Sequence, residues 1–226
     1  MVVFVQGGIR GEVCDVRLTH VGRNALWGKV IEVITPSPAR IVPDCPHYAR
    51  CGGCQFRHMD YAQELEAKHA RVYDALTRLG GVENLELPPV LGSPKVDHYR
   101  NKAQFPVSRG PRIGFYQNRT HRVVDIDDCL LQPEVDTTCR AAVKAWMDRF
   151  QIPAYQELTG EGLLRHLYLR TNQAGQALCC LVVNGEAVPD PDGLVDRLRR
   201  AARRGPGLRQ GPGLGGGEAA VRLGGT

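Results

Sequence analysis

Cys45-Pro-His-Tyr-Ala-Arg-Cys51-Gly-Gly-Cys54 is the stretch around which the rest of the chain is read, a C-x₅-C-x₂-C cluster on a glycine-bearing loop. Three thiolates so close together need a cation, and a chain without an export signal keeps its thiols reduced, so metal or catalysis comes before disulfides. An iron–sulfur cubane takes four cysteine sulfurs and zinc favours four soft ligands, so a further donor must come from elsewhere. Gly52 and Gly53 let the backbone fold tightly and aim N–H groups at sulfur. Cys14, Cys129, Cys139, Cys179 and Cys180 are the other cysteines, and His47 is a further candidate if the metal is zinc. Cys139 falls on the apolar face of a predicted helix and Cys179-Cys180 inside a predicted strand, where a thiol acts as a small hydrophobe. Cys14 lies in a predicted strand. Cys129 follows Asp125-Ile-Asp-Asp128 at a strand exit, an accessible place for a ligand. The first gap of the triplet is too wide for a radical cluster that cleaves S-adenosylmethionine. With Cys129 as fourth sulfur the site would be closed and structural, tying the loop to a remote strand.

Upstream of the loop, Val2–Val5, Glu12–Thr19 and Ala25–Ile34 read as short strands divided by glycine and proline, part of a small antiparallel barrel of the oligonucleotide-binding kind. Downstream, Asp60 as N-cap with Gln63 three residues later opens a helix over Tyr61–Leu79, whose Leu65, Val72, Leu76 and Leu79 recur near one face and which stops at Gly80-Gly81. Paired strands follow over Tyr99–Val107 and Arg112–Asp125. A second helix spans Pro133–Phe150, with Val135, Cys139, Val143, Trp146 and Phe150 at helical spacing. A hairpin over Leu163–Arg170 and Ala177–Val183 and a helix over Gly193–Arg203 complete an α+β arrangement. The predicted domains are residues 1–42 as a partial barrel, 43–204 as a central domain, and 205–226 as a glycine-rich tail outside either. The tail contains Gly211-Pro-Gly213-Leu-Gly215-Gly216, which lacks the preceding strand and following helix that a phosphate-binding loop needs.

Composition narrows the function classes. Hydrophobic residues at 42% and charged residues at 23% describe an ordinary globular chain. No apolar run approaches the ~20 residues of a membrane helix, and the first residues lack the pattern of a signal peptide, so a cytoplasmic protein without membrane association is expected. The formal net charge is +5, and the segment from Lys95 to Asp125 has seven basic residues against two acidic, which accounts for the whole excess. A concentrated basic patch attracts polyanions, nucleic acid first among them.

Cys45-Pro-His-Tyr, Cys51-Gly-Gly-Cys54-Gln-Phe-Arg-His-Met, Tyr99-Arg-Asn-Lys-Ala-Gln-Phe-Pro106, Ile113-Gly-Phe-Tyr116, His121-Arg-Val-Val-Asp-Ile-Asp-Asp-Cys129 and Gly162-Leu-Leu-Arg-His-Leu167 together resemble the iron–sulfur-containing RNA uracil-5-methyltransferases that modify large-subunit ribosomal RNA. The resemblance runs from about Val2 to Arg203. It implies an N-terminal TRAM barrel, a central domain with a [4Fe-4S] cluster on Cys45, Cys51, Cys54 and Cys129, and a C-terminal Rossmann-like domain that binds S-adenosylmethionine. In that family a cysteine adds to the uracil ring, the methyl group is transferred to carbon 5, and a base removes the carbon 5 proton. Both groups lie in the C-terminal domain, which has no counterpart in these 226 residues, so the chain is expected to be truncated at both ends and inactive alone, with no catalytic or cofactor-binding residue assigned.

Arg100, Lys102 and Gln104 alternate along one predicted strand and would share an RNA-facing surface; Phe105 and Phe115 are expected in the core. The expected partner is ribosomal RNA, and the chain is expected to be a monomer. Two further readings stand beside the methyltransferase: a non-catalytic RNA-binding module with a structural metal, and an electron-transfer protein.

Overall fold

The computed structural model describes residues 1–173 and 176–204; the glycine-rich tail predicted over 205–226 lies outside them. The described chain comprises β1 (Val2–Gln6), β2 (Val13–Val21), β3 (Ala25–Thr35), α1 (Tyr61–Asp74), β4 (Lys102–Ser108), β5 (Arg112–Tyr116), β6 (Val123–Asp125), α2 (Glu134–Phe150), β7 (Leu164–Thr171), β8 (Ala177–Val183) and α3 (Pro191–Arg204). The α+β expectation is met. Two units divide the chain, one of Met1–Tyr48 with Cys54–Pro94, the other of Ala49–Gly53 with the residues from Lys95 onward. Within the first unit, hydrogen bonds from Ile41 N to His58 O (3.1 Å) and from Asp60 N to Ala39 O (2.9 Å) tie the two ends of the cysteine loop to each other.

In the first unit the strands form one sheet in the order β1-β3-β2. The sequence suggested an antiparallel set. Instead β1 runs parallel to β3, Phe4 opposite Trp27, while β2 is antiparallel to β3 with three register shifts. Gly28 is required at the middle of β3, since a Cβ there would lie 2.4 Å from the Val16 side chain. The expected cap of α1 is present: the Asp60 carboxylate accepts from Gln63 N at 2.7 Å. Beyond Asp74 the helix widens into a π turn over Ala75–Leu79, closed by Gly80 N donating to Ala75 O at 2.9 Å. The apolar face predicted for this helix is not buried. Val72, Leu76 and Leu79 are exposed and α1 contributes no fully buried residue; besides its cap, the helix is held by the segment that follows it, where the Tyr61 hydroxyl accepts from Ser93 N at 2.7 Å and His69 Nε2 lies 3.1 Å from Leu87 O.

A buried ion pair organises this unit. The Glu12 side chain is 1% exposed and its carboxylate accepts from the Arg40 guanidinium, from Ile9 N at 2.8 Å and from Ser37 N at 3.2 Å; Arg40 also donates to Gly7 O at 2.8 Å. One carboxylate thereby fixes the turn before β2, the end of β3 and the approach to the cysteine loop.

The second unit is a sheet in the order β6-β5-β4-β7-β8, with every neighbouring pair antiparallel. Successive side chains point to opposite faces, and Ala103, Phe105, Leu167, Leu169, Cys179 and Leu181 all point to one of them, where they are buried against α2 and α3. From α2 come Val135, Cys139, Val143 and Trp146, as the spacing predicted, and from α3 Leu194 and Leu198. Trp146 Nε1 donates to Pro189 O at 2.8 Å, which satisfies the indole inside the core. The left-handed Gln151 (φ 51°) ends α2. No helix among the described residues is long and apolar enough to cross a membrane.

The hydrogen bonds from Arg40, foremost, hold the Glu12 carboxyl at about 2, below its ordinary value near 4.5. A depressed folded-state pKa contributes stability above the unfolded pKa and loses it as pH falls toward the folded one. Glu12→Gln is therefore expected to cost roughly 2–3 kcal/mol at neutral pH, with the difference from the parent chain shrinking as pH drops from about 4.5 to about 2; urea denaturation at a series of pH values measures it.

Candidate metal-binding loop and nucleic-acid face

The cysteine loop is closed by an ion pair, Arg57 Nε to Asp44 Oδ1 at 2.5 Å and Arg57 Nη2 to Asp44 Oδ2 at 2.9 Å. Inside it, Tyr48 N donates to Cys45 O at 3.1 Å, and the Tyr48 hydroxyl lies 2.6 Å from His58 Nδ1 and 3.2 Å from Gln55 O. Burial raises the Tyr48 hydroxyl pKa, with the charge of Cys54 adding to it, and burial lowers that of His58. The tip of the loop attaches to the second unit's sheet: Cys51 bridges to Gln117, and Gly52 N donates to Tyr116 O at 3.0 Å. A Cβ at Gly52 would lie 2.9 Å from that carbonyl oxygen, so the close approach requires glycine. Gly53 N donates to Cys51 Sγ at 3.4 Å, an N–H aimed at sulfur as the glycine pair suggested.

Cys129 leaves β6 on a turn built from its neighbours. Its N–H donates to Asp128 Oδ1 at 2.8 Å, the same oxygen accepts from Thr137 Oγ1 at 3.0 Å, and Cys129 O accepts from Gln132 N at 2.9 Å. On one side His98 N and Arg100 N donate to Leu130 O (2.7 Å) and Leu131 O (3.0 Å). From the other, Arg140 reaches out of α2 and donates to Ile126 O and, at 3.2 Å, to Asp127 O. Arg140 is 1% exposed and its guanidinium lies 5.1 Å from the centroid of the Phe105 ring. Burial lowers its pKa, while nearby charges, that of Cys129 foremost, act in the opposite direction. Asp136, one turn back and 2% exposed, has its carboxyl raised by burial to about 6.

Sequence reasoning had no signal for Arg140. An aspartate and an arginine four apart on a helix read as a solvated pair, and only the fold turns both inward.

No disulfide links the eight cysteines. Cys45, Cys51, Cys54 and Cys129 are all half-buried, whereas Cys139 and Cys179 are in the core, where burial pushes the Cys139 thiol up to about 12 and that of Cys179 further up. The core role expected of Cys139 and Cys179 is thus observed; Cys180 is half-buried, on the opposite face of β8 from Cys179. The half-buried thiols and the Gly53 N–H have the chemistry a thiolate-bound metal needs. Among the described residues, however, no group of three or more His, Cys, Asp or Glu side chains is arranged to hold a metal ion.

Lys102 and Gln104 both lie on β4, exposed and on the face away from the core. Arg100 does not join them. The strand begins at Lys102, and Arg100 precedes it with its backbone given over to Leu131. Phe105 and Phe115 pack together in or against the core, their ring centroids 5.0 Å apart.

No protein-family model matches the chain. It is 38% identical over 200 residues to a Clostridium tetani protein named an uncharacterized RNA methyltransferase, covering 87% of this chain and 43% of that protein. Proteins with the same description from Gloeobacter violaceus (37% over 206 residues, 87% and 45% covered) and Staphylococcus epidermidis (34% over 203 residues, 88% and 44% covered) are also similar. Among solved structures, the fold resembles that of the Pyrococcus abyssi tRNA (uracil-54, C5)-methyltransferase in complex with S-adenosyl-L-homocysteine, with a TM-score of 0.64, 23% identity, and coverage of 85% of this chain and 44% of that one. The chain therefore spans a little under half the length of the curated relatives it matches, which are named as RNA methyltransferases, and shares its fold with part of a tRNA uracil-5-methyltransferase.

Proposed function

We propose that this chain is the RNA-recognition part of an S-adenosylmethionine-dependent RNA uracil-5-methyltransferase acting on ribosomal RNA. The observation that carries the reading is the basic segment from Lys95 to Asp125, which supplies the chain's whole charge excess and whose Lys102 and Gln104 lie side by side on the exposed face of β4. The names of the relatives support an RNA methyltransferase, and the bound product in the Pyrococcus structure supports S-adenosylmethionine as methyl donor. No residue of this chain is assigned to the methyl transfer itself. Its part is to hold RNA: Lys102, with Arg100 beside the strand, neutralises phosphates, and the Gln104 amide donates to or accepts from an unpaired base edge.

The same reading takes Cys45, Cys51, Cys54 and Cys129 as ligands of a [4Fe-4S] cluster. Support comes from the C-x₅-C-x₂-C spacing, the half-burial of all four thiols and the glycine N–H directed at Cys51. The cluster would supply a covalent cross-brace between loop and strand exit. Arg140 holds the segment before Cys129 through the carbonyl groups of Ile126 and Asp127.

Two measurements test the halves of this reading separately. Chain purified anaerobically is expected to be brown and to contain iron, with Cys129→Ser losing most of both; colourless, iron-free parent protein would remove the cluster from the proposal. For RNA, affinity for a labelled ribosomal RNA fragment should fall steeply with salt, and Arg100→Ala combined with Lys102→Ala should reduce the log–log slope by about 1–2. An unchanged affinity and slope in the double variant would show that this strand does not face RNA.

A further inference from the structure

Assigning β4 to RNA leaves half of the neighbouring charge without a role. In the β4–β7 ladder Lys102 stands opposite Arg170 and Gln104 opposite Tyr168. Leu167 and Leu169 of β7 face the core, so Tyr168 and Arg170 share the outer face with Lys102 and Gln104. Lys102 and Arg170 are both exposed, and like charges directly opposite on adjacent strands repel. No carboxylate among the described residues forms an ion pair with either, whereas Arg165 on the same strand has Glu157 at 2.8 Å. The next strand continues the outer face with Leu178, Cys180 and Val182, which add no negative charge. Tyr168 is half-buried at the centre of this strip, and the Lys102 ammonium lies 5.4 Å from its ring centroid.

We infer that Lys102, Gln104, Tyr168 and Arg170 form one binding strip for single-stranded RNA across β4 and β7. The two cations flank a phosphate and relieve their own repulsion by holding it, and the Tyr168 ring offers a face on which the attached base stacks. Gln104, directly opposite the ring, meets the edge of that base. The strip carries an aromatic platform, which suits a splayed single strand better than a duplex, whose bases are already stacked and paired. An acidic peptide would satisfy the cations and leave the ring and the amide unused. This inference rests on the RNA reading above and extends it to a second strand. The signal was present in the sequence as the alternation of Tyr168 and Arg170 with Leu167 and Leu169, but nothing there said that β7 pairs with β4.

The test uses the full chain and a fluorescein-labelled single-stranded RNA of about 20 nucleotides, with fluorescence anisotropy measured across a salt series. Arg170→Ala is expected to weaken binding and flatten the log–log salt slope by about 0.7, one phosphate contact on a single strand. Tyr168→Leu, which keeps bulk at a half-buried position, should weaken binding roughly tenfold with little change of slope, while Tyr168→Phe binds like the parent. If both Arg170→Ala and Tyr168→Leu bind as the parent does while Lys102→Ala is weakened, the second strand is not part of the surface and the broader RNA reading stands. If the parent chain binds no RNA, or if polyglutamate displaces the RNA as effectively as unlabelled RNA does, both are overturned.

Discussion

The five-stranded sheet buries one face and leaves the other to be used. Phe105, Leu167, Leu169 and Leu181 take the helix side, where Trp146 of α2 and Leu194 of α3 close over them. Strand alternation then assigns Lys102, Gln104, Tyr168 and Arg170 to the far side without further choice. Register matters for the same reason. A slip of one residue in the β4–β7 ladder would send Phe105 outward and Lys102 into the core, so burial of the apolar set is what keeps the cations aligned.

Polar groups inside the protein stabilise the connections that apolar packing does not reach. Arg140 crosses beneath Phe105 to bind the carbonyl groups of Ile126 and Asp127, and a guanidinium suits the task because its fork of donors serves two acceptors at once. Glu12 does the complementary work in the first unit, accepting from Arg40 and two backbone N–H groups. There the apolar side chains give little help: Val3, Phe4, Leu18 and Ile31 of the three-stranded sheet are exposed. A satisfied buried carboxylate is specific in direction in a way that hydrophobic contact is not, and it defines how β2, β3 and the cysteine loop meet.

The cysteine loop shows how local chemistry and chain path combine. Gly52 is glycine because its backbone lies against Tyr116, and Gly53 presents its N–H to Cys51. Asp44 and Arg57 clamp the loop at its base, and Tyr48 meets His58 within it. The thiols are therefore displayed from a braced segment. Their half-burial contrasts with the inaccessible Cys139 and Cys179, whose thiolates the core disfavours.

Periodicity and punctuation determined which segments became helices and strands, because those preferences are local. The Asp60 cap, the buried stripe of α2 from Val135 to Trp146, the β7–β8 hairpin and the core places of Phe105 and Phe115 were all legible in that way. The spacing of Cys45, Cys51 and Cys54 and the basic stretch from Lys95 were legible too, since both are runs along the chain. Tertiary structure decided what depends on partners distant in sequence: the parallel pairing of β1 with β3, the exclusion of Arg100 from β4, the exposure of the α1 stripe, and the inward turn of Arg140. It also set Arg170 against Lys102. A charge next to a leucine looks the same in any strand, and only the hydrogen-bonded register says which other charge it must face.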